Sequence, residues 1–219
     1  RFWYADTFFS KGYNFNKSGS YQLAYPQLQK AITLRPEEPI FQDEYAYNIA
    51  VLSVALFDAK ETTAAAQLAK NAEELSDYIV ASHPNNVTFW KTRVRILYAL
   101  SQIDQSYLKK ALTAIQQTHT LAPTDAKVSY NMGILQGQNG ETASAVTTLE
   151  ETVAMKKDYQ DAWYALGLYY HELATDEKGN VVDQNLEAKA ISIMRYIVKN
   201  FGNQEVVTQA KDTLKAWGF

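Results

Sequence analysis

Lys91 and Arg95 stand four residues apart, a spacing that puts two cations on one helix face where both can address a single anionic group. The commoner use of such a pair is a solvated cationic face beside nearby acids. Tyrosine, present fifteen times, joins a large ring to a hydroxyl, and such rings either pack against adjacent helices or serve a contact surface. The titratable residues otherwise lack catalytic spacing. His83, His119 and His171 fall far apart, with no H-x-x-x-H pair to hold a metal. The acid pairs Glu37/Glu38, Glu73/Glu74 and Glu150/Glu151 are sequence neighbours that diverge around a helix, whereas paired acid–base chemistry needs convergence. Asp176-Glu177-Lys178-Gly179-Asn180 resembles the start of a calcium loop, but Lys178 occupies a ligand position and no glutamate closes the loop. No glycine-rich phosphate loop occurs. Asn16-Lys17-Ser18 and Asn86-Val87-Thr88 match glycosylation triplets, which act only in a secretory compartment. Without cysteine, disulfides, thiolate nucleophiles and cysteine-based zinc sites are excluded. No catalytic set, cofactor or metal is expected; the remaining enzymatic alternative, glycan or peptide processing, would use acids such as Asp43, Asp161 or Glu172.

The bulk numbers are those of an ordinary folded protein. A chain of 219 residues, 47% hydrophobic and 21% charged, has ample material for a folded core. A net charge of −3 gives no field favouring nucleic acid or an anionic membrane. No apolar run is long enough to cross a bilayer. The chain begins at Arg1 without a signal-peptide pattern, as expected of a domain taken from a longer protein. Composition leaves the compartment open between the cytoplasm and the outer face of a bacterial membrane.

The apolar residues recur at helical spacing along the chain. Residues 1–17 read as a helix with Phe2, Ala5, Phe8, Phe9, Gly12 and Phe15 inward. Ser18-Gly19-Ser20 breaks it, and a partner helix runs from Tyr21 to Leu34 with Pro26 inside, where the missing N–H should bend the helix or shift its start. Pro39 suits a first helical turn. Ile40 to Phe57 and Thr62 to Ala81 read as two long helices, with Ala64, Ala65, Ala66 and Ala69 marking close contact. Asn86 is a candidate N-cap for the next pair. An insertion from Thr175 to Asn185 precedes a helix with Ala190, Met194 and Ile197 on its packing face. A final helix from Gln204 to Trp217 would bury Val207, Ala210, Leu214 and Trp217.

A longer period overlies this pattern. Trp163, Leu166, Gly167 and Tyr170 spell W-x-x-L-G-x-x-Y. Gly133 stands one period upstream of Gly167 and is followed by Ala145 and Leu149. Phe8, Gly12, Phe15, Ala24, Leu28, Ala31 and Pro36 repeat the same offsets near the start. On these residues the chain resembles the tetratricopeptide repeat family, whose period of about 34 residues is the spacing from Gly133 to Gly167. The resemblance implies an all-α, right-handed α-solenoid of helical hairpins with a C-terminal capping helix. It divides a single domain, 1–219, into units at about 1–38, 39–86, 87–125, 126–159 and 160–202, with the cap at 203–217. The second unit departs from it: the stretch from Pro36 to Pro84 is much longer than one period, and glycine is missing.

Stacked hairpins bury what one hairpin cannot, and a small rotation per unit leaves a concave face lined by each first helix. The family's groove offsets, carried onto this sequence, name Asp6, Phe9, Tyr13, Asn16, Lys17, Asp43, Tyr47, Lys91, Arg95, Tyr98, Tyr130, Gln138, Asp161, Tyr164, His171 and Glu172. The implied function is non-catalytic binding of a peptide or partner helix. Phe9 and Tyr13 stand where some members carry half of a carboxylate clamp, so that clamp is absent. The R-F-W-Y-A-D opening and L-R-P-E-E-P junction are also similar to the repeat tails of bacterial O-antigen ligase-like membrane proteins. That likeness would imply an extracytoplasmic domain serving polysaccharide assembly.

Overall fold

The computed structural model describes residues 2–219; Arg1 and the side chain of Phe2, expected inward, lie outside the described set. Among the described residues eleven helices follow one another: α1 Phe2–Lys17, α2 Tyr21–Leu34, α3 Pro39–Asp58, α4 Thr62–Ser82, α5 Val87–Leu100, α6 Ser106–Leu121, α7 Ala126–Gln138, α8 Thr142–Met155, α9 Gln160–Ala174, α10 Gln184–Asn200 and α11 Gln204–Ala216. Among the same residues the one β-type pairing is an isolated bridge between Thr175 and Val181. No described helix is long and apolar enough to cross a membrane. Two compact units form, Arg1–Leu121 and Ala122–Phe219.

Each hairpin closes on a small residue. Ala24, Ala145 and Ala190 have no exposed surface, and Leu28, Leu149 and Met194 are buried one turn further on. A Cβ on Gly12 would come within 2.6 Å of Leu28 Cγ, and one on Gly133 within 2.8 Å of Leu149 Cγ. Glycine costs about 1 kcal/mol in a helix interior, and here the close approach of the facing helix offsets it. Caps sharpen the boundaries: Asn86 Oδ1 accepts from the Thr88 and Phe89 amides, and Asp183 Oδ1 accepts from the Asn185 and Leu186 amides. Pro39 opens α3 at its first turn.

Some expectations shift in detail. Helix α2 starts at Tyr21 and runs through Pro26, so the proline does not move its start. Of the alanines in α4, Ala65 and Ala69 are buried while Ala64 and Ala66 are exposed. Val206 rather than Val207 is buried in α11, because Asn203 caps the helix and sets a stripe of Val206, Ala210, Leu214 and Trp217. Helices α3 and α4 span 20 and 21 residues, against 14 and 16 for α5 and α6.

The loop after α9 is held by one of its own acids. Asp176 Oδ1 accepts from the Lys178 and Asn180 amides, and its Oδ2 accepts from Asn180 Nδ2, so its carboxylate is turned onto its own loop.

Candidate functional site

In the first unit, α1, α3 and α5 present most of the expected groove positions. The Phe9 ring stacks on Phe41 at 4.5 Å and on Tyr13 at 6.1 Å, and Tyr13 itself is exposed. Lys17 and Lys91 are exposed, and so is Asp6, whose carboxylate meets Arg35 at 3.2 Å. Asn16 and Asp43 are interior, at 5% and 7% exposure. Asn16 Nδ2 donates to Glu44 Oε1 at 2.6 Å, and Asn48 Nδ2 donates to Asn16 Oδ1 at 2.7 Å and to the Tyr21 carbonyl at 2.9 Å. These amides pin the α1–α2 turn to α3 and serve as framework.

Burial shapes the carboxylates beside them. Removal from water pushes Asp43 up to about 7, with Glu44 adding to the rise and the Thr92 hydrogen bond and the Arg95 charge opposing it. Glu44 is raised for the same first reason, against the Asn16 hydrogen bond and Arg95. Arg95 does not join Lys91 as a free pair. Its guanidinium lies over the Tyr47 ring, 3.8 Å from the centroid, and Tyr47 meets Tyr21 edge-on at 6.2 Å. Tyr47, Arg95 and Tyr98 share the wall of an open cavity of about 450 Å³ with Tyr21, Val51, Val54, Ala55, Asp58, Ala99 and Gln102.

The second unit uses its expected positions differently. Tyr130 is half-buried against Tyr159 at 5.0 Å, and burial, with the Asp161 charge, raises its hydroxyl. Tyr164 and Thr213 share a hydrogen bond of 2.9 Å, so that ring is tied to α11. His171 Nδ1 lies 2.6 Å from Glu187 Oε2, and its ring stacks on Trp217 at 4.0 Å. Glu172 Oε1 accepts from Thr142 Oγ1 at 2.8 Å. Asp161 and Gln138 are exposed. Here the terminal helix covers the face that Tyr164 and His171 were expected to leave open. Among the described residues no cluster of histidines and acids could hold a metal ion.

Several contributors were missed in the sequence. Glu44, Asn48 and Thr92 are polar residues on otherwise apolar helix faces, a signal that was legible. Tyr21, Val51 and Val54 carried no such signal, because their role follows from which helix lies beside them.

No family model and no curated protein matches the sequence. Solved structures do match over nearly the whole chain. A thermophilic TPR protein of Thermus thermophilus, TTC0263, is 15% identical with a TM-score of 0.61, covering 96% of this chain and 98% of its own. MamA is 17% identical with a TM-score of 0.60, covering 89% and 90%. YrrB, described as a TPR protein with an unusual peptide-binding site, is 16% identical with a TM-score of 0.55, covering 94% and 90%. The fold is the tetratricopeptide-repeat solenoid. At these identities the likeness extends to the fold alone.

Proposed function

We propose that the chain is a non-catalytic protein-interaction module whose five hairpins act as repeats of one domain and whose first helices bind a peptide or partner helix. The observation that carries this reading is the cavity between α3 and α5, where Tyr47, Arg95 and Tyr98 meet at one open wall. A ring held edge-on to another ring and a guanidinium stacked on its face are fixed before any ligand arrives, which limits the ordering cost of binding. The peptide-binding site ascribed to YrrB supports the choice of ligand class.

Phe9, Tyr13, Lys17, Lys91 and Tyr98 are proposed to extend the contact surface in the first unit, and Asp161, Gln138 and Tyr130 in the second. Tyr164 and His171 are assigned to holding α11, and Asn16 and Asp43 to the framework. The test is an array of immobilised twelve-residue peptides incubated with the wild-type chain and with Tyr98→Ala. Tyr98 is 44% exposed, and thermal unfolding of the variant checks that its truncation leaves the fold intact. The reading expects a reproducible subset of peptides to retain the wild type and lose the variant. Retention of no peptide, or identical retention by both proteins, would overturn it.

A further inference from the structure

The elongated α3 does more than lengthen the second hairpin. Asp43 sits beside Thr92 and Tyr47 beneath Arg95, so α3 and α5 run side by side in the same direction. From that register α5 ends at Leu100, five residues past Arg95, while α3 continues to Asp58, eleven past Tyr47. The six-residue difference is an overhang of ~9 Å at ~1.5 Å per residue. Val54, Ala55 and Asp58 lie on this overhang and Val51 just below it, and together they form one wall of the cavity.

The cavity is graded along its length. At the inner end Arg95 is exposed, with its guanidinium carbon 3.8 Å from the Tyr47 ring centroid. Val51, Val54, Ala55 and Ala99 make an aliphatic middle, and Asp58 stands at the outer rim. Among the described residues neither Arg95 nor Asp58 takes part in an ion pair.

We propose that this cavity binds an extended peptide with the pattern acid-x-aliphatic-x-base, its carboxylate on Arg95, its aliphatic side chain on Val51 and Val54, and its cation at Asp58. The pattern follows from distance. Val51 is four residues beyond Tyr47, ~6 Å along the helix, and side chains two apart on one face of an extended chain are separated by ~6.7 Å. Asp58 is ~16 Å beyond Tyr47; the basic position, ~13 Å along the peptide from the acid and extended by a lysine stem, spans that gap. Charge complementarity at both ends and an apolar centre define this occupant. The proposal rests on the reading that the first helices bind peptide, and it names which peptide.

The experiment is an NMR titration of the full chain, observing valine methyl groups and the arginine Nε–H signals, with acetyl-ESLSK-amide as probe. Acetyl-QSLSK-amide, acetyl-KSLSK-amide and acetyl-ESSSK-amide serve as comparisons. The expected result is saturable shifts at Val51, Val54 and Arg95 with the first probe, and affinity at least fivefold weaker for each comparison. Arg95→Gln should abolish the preference for glutamate over glutamine. Ala55→Lys, at an exposed alanine, should block all four probes with thermal unfolding unchanged, while Arg95→Gln, which loses its place over Tyr47, should keep a folded valine methyl spectrum at a lowered melting temperature. Equal affinity for the glutamate and glutamine probes, or shifts confined to other residues, would overturn the proposal. If none of these probes binds while the peptide array still distinguishes wild type from Tyr98→Ala, the acidic pattern fails and the broader reading stands. If the array is also blank, both fail.

Discussion

Replacing Asp43 by asparagine should make the protein more stable above neutral pH. In the unfolded chain Asp43 ionises near its ordinary 3.8, whereas burial in the fold raises it to about 7. The native state therefore binds more protons than the unfolded state between those two values. Stability falls as pH rises through that window, and the loss is complete above about 7. At ~1.36 kcal/mol per pH unit the displacement amounts to about 4 kcal/mol. Relaxation around the charge reduces this, so ~2–4 kcal/mol is expected at pH 8. Asparagine keeps the shape and can still accept from Thr92, while carrying no charge to desolvate. Urea unfolding of wild type and Asp43→Asn at pH 5, 6, 7 and 8 measures the effect. Glu44 is raised by burial too and gives both proteins a residual slope of the same sign, so the difference between the two curves reports Asp43 together with its repulsion of Glu44. Parallel curves, or a variant less stable than wild type at pH 8, would refute the account of Asp43 as a buried carboxylate ionised at a cost.

Three further substitutions probe the framework. Asn48→Ala removes the donor to Asn16 and to the Tyr21 carbonyl, leaving the interior Asn16 Oδ1 without that partner, and should cost about 1–3 kcal/mol in denaturant unfolding. Gly12→Val places a branched side chain where even a Cβ meets Leu28 at 2.6 Å; calorimetry should show about 1–3 kcal/mol of destabilisation. Asn86→Ala removes the cap on α5 and should lower stability by about 1 kcal/mol, a loss that Asn86→Asp restores in the same unfolding assay.

The hairpins were legible in the sequence because what specifies them is local. A glycine facing a leucine sixteen residues on, as Gly12 faces Leu28 and Gly133 faces Leu149, is a relation set by helical period and a short turn. The same holds for the Asn86 cap and for Pro39 at the start of α3. The long second hairpin was readable too, from the wide separation of Pro36 and Pro84.

What the sequence could not supply is which side chains each helix face would meet. The groove offsets placed Tyr164 and His171 beside Tyr47 and Arg95 as equivalent positions, yet α11 takes up the first two through Thr213 and Trp217. Asn16 and Asp43 became interior because α2 and α5 close over them with Tyr21 and Thr92. Arg95 found Tyr47 across the whole of α4 and its flanking turns, a pairing fixed by α3 and α5 lying side by side. The sequence by itself determined the helices and the small-to-large contacts that pair them, since periodicity and volume act within one hairpin. Tertiary structure alone decided which polar residues were buried and which stayed open to a ligand, since that depends on where a distant helix comes to rest.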